Sequence, residues 1–212
     1  MPFTSDQFFG VFALYNRTFI VVVVVLWLAS AGMVAFVSRD PERRSRTLSL
    51  FLAVLWLWNA VAYHALFFTR VNPAAWLFAV LFAVQAVLFW WSTAGRSIDY
   101  FLSIGWRRRI GQGVVAYALA YPFLTIALGH SYPETPTFGV PCPTAILTIG
   151  LLVGARGHLP LTLAIVPIAW GFIGGSAAVL LAVPTDYVLL GSGLLLTAIL
   201  VVQWVQPARA VL

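Results

Sequence analysis

Seven apolar stretches follow one another along the chain, and short segments between them hold most of the charged residues. The stretches cover residues 19–37, 48–68, 73–93, 111–129, 138–155, 159–183 and 187–205. Most are long enough to cross a hydrocarbon core of ~30 Å at about 1.5 Å of helix rise per residue. The pattern predicts an all-α protein, a polytopic transmembrane helical bundle that forms a single transmembrane domain over residues 1–212.

The fifth stretch differs from the others. Its uninterrupted part, residues 143–155, is 13 residues long, a length more typical of a re-entrant or buried segment than of a full crossing. Residues 138–140 would complete a crossing. We therefore predict a fifth span that is short or broken and whose helix starts at the sequence Pro-Cys-Pro.

The distribution of arginine favours seven spans. If the fifth stretch crosses, ten of the twelve arginines share one side, and only Arg17 and Arg70 lie on the other. A re-entrant fifth stretch lowers the ratio to eight against four. Because basic residues accumulate in cytoplasmic loops, we predict seven spans with the N-terminus outside and the C-terminus inside. The ten arginines are Arg39, Arg43, Arg44, Arg46, Arg96, Arg107, Arg108, Arg109, Arg156 and Arg209.

The composition agrees with a protein whose main partner is the lipid bilayer. The chain is 62% hydrophobic and 8% charged, with a mean hydropathy of +0.97. All twelve basic residues are arginine, so neither a retinal Schiff base nor a pyridoxal phosphate aldimine can form, because both require lysine. The net charge of +6 follows the positive-inside bias, and we expect no nucleic acid partner.

Residues 129–144 form the most unusual polar segment. Four prolines in this run rule out a regular helix, because each lacks an N–H and restricts the residue before it. The segment carries His130, Glu134 and the single cysteine, Cys142. We predict a fixed, irregular loop at the outer surface, where binding or chemistry is expected.

Polar residues within the spans converge on the outer half of the predicted bundle. Such side chains are costly to leave facing lipid, so they should face one another or a wet cavity. The candidate ligand-binding residues are Tyr63, His64, Asn72, Gln85 and Tyr132. The alternative for His64 is a structural histidine that is hydrogen-bonded in the core to Gln85 or Tyr117.

A metal site is a second possibility for this region. His130 and His64 offer imidazole, Cys142 offers thiolate and Glu134 offers carboxylate, a donor set that suits Zn or Cu. The sequence contains no paired ligand motif, so the fold would have to assemble the site. The alternatives are a solvated carboxylate for Glu134, and for Cys142 a small buried side chain that caps the fifth helix.

In three groups of residues, the sequence resembles a family of bacterial seven-span membrane proteins known only as a domain of unknown function. The first group is Trp58, Tyr63-His64 and Phe67-Phe68; the second is Asn72-Pro73-Ala74-Ala75, Phe78, Phe82 and Gln85; the third is Gly129-His130, Tyr132-Pro133, Pro136, Phe138-Gly139 and Pro141-Cys142-Pro143-Thr144. The resemblance implies a multi-pass protein of the bacterial inner membrane. It brings no activity or ligand with it.

Three functions are compatible with these features. The first is a transporter or permease for a small solute or ion, with its polar site on the periplasmic side. The second is an accessory or sensor subunit of a membrane complex, with a membrane-protein partner or a second copy of the chain. A metal-dependent membrane enzyme is the third, and it is less favoured because few candidate ligands are present.

Overall fold

The computed structural model describes residues 3–95 and 98–206, and this part of the chain folds into seven α-helices. They are α1 (Ser5–Ser38), α2 (Pro41–Trp58), α3 (Ala75–Ser92), α4 (Gly105–Ala127), α5 (Pro141–Val153), α6 (Leu161–Leu180) and α7 (Tyr187–Val205). The chain of α2 continues as a π-helical turn over Asn59–Ala65, and short 3-10 turns cover Phe68–Arg70 and Pro184–Asp186. Six segments are long and apolar enough to cross a membrane, and α5 is shorter.

Helix α1 begins well before the apolar stretch that marks it in the sequence. That stretch starts at residue 19, whereas the helix starts at Ser5. A capping box explains the earlier start, because the Thr4 side chain accepts from the backbone of Gln7 and the Gln7 side chain accepts from the backbone of Thr4. The backbone leaves helical geometry at Phe19, so the predicted boundary coincides with a kink within α1.

Successive helices run in alternating directions between two ends of the bundle. At one end, which we call the loop end, Phe9 near the start of α1 packs on His130, with 4.9 Å between ring centroids. At the other, which we call the arginine end, Arg156 after α5 pairs with Asp99 before α4 at 2.9 Å. Eight of the predicted cluster of ten arginines lie at the arginine end; Arg96 and Arg209 lie outside the described residues.

Helix α5 forms the centre of the bundle. All 13 of its residues are buried. Two polar side chains of α5 anchor it to the second helix: Thr148 accepts a 2.9 Å hydrogen bond from the Trp56 indole, and Thr144 accepts one of 3.0 Å from Asn59. The apolar fifth stretch is therefore an interior helix that packs against protein on every side. Because protein and not lipid surrounds it, it does not need the length of a helix that spans the hydrocarbon core.

Glycines allow close contacts between helices. A Cβ atom on Gly111 of α4 would lie 2.6 Å from the backbone nitrogen of Gly154, just after α5. A Cβ atom on Gly171 of α6 would lie 3.0 Å from the Cα atom of Gly193 in α7. Small residues at these crossings let the backbones approach each other directly.

Candidate ligand-binding site

The loop before α5 folds into the loop end of the bundle, where α1 holds it. Asn16 of α1 is fully buried and uses its whole amide group for this purpose. Its Nδ2 atom donates to the carbonyl oxygens of Pro133 at 2.6 Å and Thr135 at 2.8 Å, and its Oδ1 atom accepts from Thr137 at 2.6 Å. One buried side chain thus fixes the middle of the loop.

A second contact fixes the end of the loop. The hydroxyl of Tyr15 donates to the Gly139 carbonyl at 2.8 Å and accepts from the Trp58 indole at 2.7 Å. Gly139 has a positive φ of 83°, and a Cβ atom there would lie 2.9 Å from the Tyr15 hydroxyl. Glycine is therefore required at this position for both its backbone conformation and its small size.

His64 lies in the π-helical turn and is completely buried among aromatic rings. Its ring packs edge-on against Phe82 at 4.6 Å and Trp170 at 5.2 Å between centroids. Neither ring nitrogen has a hydrogen-bond partner among the described residues. The predicted hydrogen bond to Gln85 or Tyr117 is therefore wrong, because Gln85 donates to the Leu163 carbonyl and Tyr117 donates to the Thr185 carbonyl.

The other candidate ligand-binding residues separate into three environments. Gln85 is buried in the core, away from the loop, with its Oε1 atom unpartnered among the described residues. Tyr132 is exposed on the loop. Tyr63 and Asn72 line a cavity, and the Asn72 carboxamide also accepts from the backbone of Ala74 at 3.1 Å. The structure therefore places two of the five in one cavity.

The four candidate metal ligands also differ in environment. His130 is half-buried, Glu134 is exposed, and Cys142 and His64 are buried. Within residues 3–95 and 98–206, no group of three or more His, Cys, Asp or Glu side chains could hold a metal ion. A Zn or Cu site stays a prediction, which elemental analysis of the wild-type protein and of His130→Ala and Cys142→Ser would test.

Asp186 is the prominent side chain that sequence reasoning missed. It ends the 3-10 turn before α7 and is only 4% exposed. The Tyr121 hydroxyl of α4 donates to its Oδ1 atom at 2.5 Å, and the Cys142 thiol faces the same carboxylate. The one signal in the sequence is that Asp186 stands in a connection of only three residues between two apolar stretches.

A cavity of about 230 Å³ lies at the loop end, directly beside Asp186 and Cys142. Helices α1, α3, α5 and α6 contribute to its wall, together with the segment between α2 and α3 and the connection to α7. Aromatic side chains dominate this wall, and they are Phe3, Phe8, Phe12, Tyr63, Phe68, Phe78 and Trp170. Asp186 is the one charged side chain among the described residues that line it, and Asn72 and Ser176 add further polar groups.

This arrangement matches the general form of a small-molecule site. Such sites combine apolar and aromatic walls with a few polar groups that fix the orientation of the ligand. Here the polar groups come from separate elements: Asn72 follows the second helix, Cys142 begins α5 and Asp186 precedes α7. Aromatic faces attract cations, and a carboxylate provides the matching charge.

The described residues form an all-helical protein with six segments that are long and apolar enough to span a membrane, which indicates a membrane protein, and a cavity lies near one end. Residues 5–210 match DUF6064, a family of unknown function, and the chain belongs to that family. Neither the curated proteins nor the solved structures contain a match to the chain.

Proposed function

We propose that the protein is a carrier for a small, largely apolar organic cation, which it binds in the cavity at the loop end. The observation that supports this most directly is the placement of Asp186, a buried carboxylate, in the wall of a cavity lined by aromatic rings. Such a site favours a positively charged ligand, because a carboxylate without a positively charged partner is costly to keep away from water.

The chemistry of the wall favours a cation over other solutes. Aromatic faces such as those of Phe12 and Trp170 attract an ammonium group, and the attraction grows when water is excluded. An anion would be repelled by Asp186, and a sugar or other strongly polar solute would leave its hydroxyl groups unpaired against the rings. An amine or quaternary ammonium with a compact apolar body fits both requirements.

The proposed orientation follows from the arginines. Eight of the ten described arginines lie at the arginine end, and by the positive-inside rule this end would face the cytoplasm. The six long helical segments would then cross the membrane and the shorter α5 would run inside the bundle, with the N-terminus and the cavity on the outer side. The family resemblance noted above supports the bacterial inner membrane as the location.

The binding step is tested with two probes of the same shape. Benzyltrimethylammonium carries a positive charge, and neopentylbenzene replaces its nitrogen with carbon. Purified protein in lipid nanodiscs is titrated with each probe, and binding is followed by the tryptophan fluorescence of the protein, to which Trp170 in the cavity wall contributes. We expect tighter binding of the cation, and we expect Asp186→Asn to weaken it by at least about tenfold, or 1.4 kcal/mol, with little effect on the neutral probe.

The matched control is Glu134→Gln, which removes an exposed carboxylate from the loop at the same end of the bundle. It should leave the affinity of both probes unchanged. Equal affinity of the wild-type protein for the two probes would contradict the proposal, and so would an Asp186→Asn protein that keeps its preference for the cation. Unchanged binding of the neutral probe by Asp186→Asn would show that the cavity is intact.

A second candidate function is an accessory or sensor subunit that binds the same ligand without moving it. The observation that favours this function is the apolar packing in the core of the bundle, where Phe82, Ile146 and Leu147 are fully buried. A carrier has to separate these packed side chains in each transport cycle to let the ligand pass, whereas a sensor does not. Transport measurements in vesicles separate these two functions.

A further inference from the structure

The arginine end contains a second and larger cavity of about 570 Å³. It lies between the segment that leads into α4, the turn after α5 and one side of α7. We call it the basic groove, and the residues that carry the argument are Trp106, Arg107, Arg156, Ala198, Ile199 and Val202.

Two guanidinium groups stand in the wall of this groove. Arg107 donates through Nε and Nη2 to the carbonyls of Val153 and Ala155, so the end of α5 holds the side chain in place. Arg156 donates through the same two atoms to a single oxygen of Asp99. Within the described part of the chain, the Nη1 group of each arginine makes no hydrogen bond and stays free for a ligand.

The described wall of the groove holds two arginines and no carboxylate. Arg156 pairs with Asp99 at 2.9 Å and lies 3.9 Å from Glu42, both outside the wall, whereas Arg107 has no carboxylate partner among the described residues. Helix α4 begins at Gly105 without a side-chain cap, and Gly105 and Trp106 belong to the wall. The exposed N–H groups of this first turn add to the attraction for an anion that the two arginines already exert.

Apart from the buried polar residues Ser103 and Gln203, the remaining wall is mostly apolar, and part of it belongs to the outer surface of the bundle. Ala198 and Val202 are exposed on α7, and Ile199 lies between them. Trp106 is 54% exposed at the start of α4, in the position where tryptophan side chains commonly mark the membrane interface. The groove thus joins a cationic pocket to an aliphatic surface that continues along a lipid-facing helix.

We propose that the basic groove binds an anionic phospholipid. The phosphate is held between Arg107 and Arg156 at the start of α4, and an acyl chain follows Ala198 and Val202 along α7. A free phosphate would use the arginines and leave the aliphatic wall unused, and a zwitterionic lipid would bring an opposing positive charge to the arginines. This site is separate from the cavity at the loop end and does not depend on the proposed function.

The test uses delipidated protein in detergent and native mass spectrometry. Dioctanoyl phosphatidylglycerol is titrated against dioctanoyl phosphatidylcholine and against glycerol phosphate. Arg156→Gln removes one phosphate ligand, and Ala198→Trp fills the aliphatic wall without changing charge. The controls are Arg109→Gln, an exposed arginine on α4 outside the groove, and Val87→Trp, an exposed position on α3 outside the groove.

We expect phosphatidylglycerol to bind more tightly than the other two probes, with about a tenfold loss of affinity in each groove variant and no loss in either control. Equal binding of the two lipids would overturn the proposal. Glycerol phosphate binding as tightly as the lipid would show a free phosphate site instead, and an unaffected Ala198→Trp protein would exclude the acyl chain from α7. Because Ala198→Trp keeps both arginines, the proposal stays testable if Arg156→Gln fails to fold.

Discussion

Asp186 occupies the position that caps the start of α7, yet its side chain bonds to Tyr121 of α4 and makes no capping hydrogen bond. A carboxylate at a helix start normally satisfies the first N–H groups of its own helix. Here the carboxylate makes no such hydrogen bond to α7 and lies beside the cavity. This arrangement is the local feature that most directly supports the proposed binding at the loop end.

Asn16 provides a residue-scale prediction. Asn16→Ala removes three hydrogen bonds and leaves two carbonyl groups and one hydroxyl of the loop without a partner, so we expect a loss of about 3 kcal/mol. Thermal unfolding in detergent measures the loss, and limited proteolysis reports whether residues 131–140 become accessible. Thr18→Ala, at an exposed position of the same helix, should change stability by less than about 0.5 kcal/mol. Equal stability of the two variants would show that the loop does not depend on Asn16.

Sequence reasoning named some residues at the loop end and missed others, for identifiable reasons. Cys142 and His64 were named because polar or reactive groups stand out within apolar stretches; Cys142 lines the cavity, and His64 is not among the described residues of its wall. The partners of His64 were predicted wrongly, because its position along the helix does not reveal that aromatic rings surround it. Asp186 and Asn16 were missed because both lie just outside apolar stretches, where a polar residue is ordinarily assumed to face solvent.

Helix α5 and its contact with α4 set the architecture at the scale of elements. A side chain cannot fit at Gly111 because backbone atoms of Gly154 lie where its Cβ would be. Gly111→Ala should therefore destabilise the protein by about 2 kcal/mol, the cost of forcing two packed helices apart. The melting temperature in detergent measures this effect.

Gly113 on the same helix is the matched control for this prediction. A Cβ atom there meets no other atom within 4 Å, and alanine favours the helix over glycine by about 1 kcal/mol. Gly113→Ala should therefore be neutral or slightly stabilising. A Gly111→Ala protein as stable as Gly113→Ala would mean that α4 and α5 are not in the close contact described here.

The hydrophobic pattern predicted the elements better than their ends. It correctly indicated that the fifth helix is short and that it starts at the Pro-Cys-Pro sequence. It missed the first 14 residues of α1, because charged and polar side chains interrupt the apolar pattern there. The Thr4–Gln7 capping box was the available signal for that start, since it depends on two specific side chains and not on average hydropathy.

At the scale of the whole molecule, the arrangement of the seven helices leads to a prediction about orientation. Glu134→Cys places a thiol at the exposed loop end, and Arg108→Cys places one at the exposed arginine end. In spheroplasts, a membrane-impermeant maleimide should label the first and not the second, which should react only after lysis. Unmodified protein, whose single cysteine is buried, gives the background. The reverse pattern would invert the proposed orientation.

The overall bundle could be predicted because lipid requires long apolar helices and because arginine marks their ends. The length of the fifth stretch suggested a re-entrant or buried segment, but sequence alone could not show that α5 is the centre of the bundle, because its neighbours are set by the tertiary structure. The cavity is likewise a property of the whole molecule. Its wall combines residues from Phe3 to Asp186, and only the tertiary structure brings them together.

Transport of an organic cation is tested most directly by uptake of radiolabelled benzyltrimethylammonium into vesicles that contain the purified protein. We expect uptake that saturates with concentration in the wild-type protein, a loss of at least about tenfold in Asp186→Asn, and unchanged uptake in Glu134→Gln. Binding without uptake would contradict the carrier and favour the sensor subunit. Uptake that persists in Asp186→Asn would contradict the role given to the buried carboxylate.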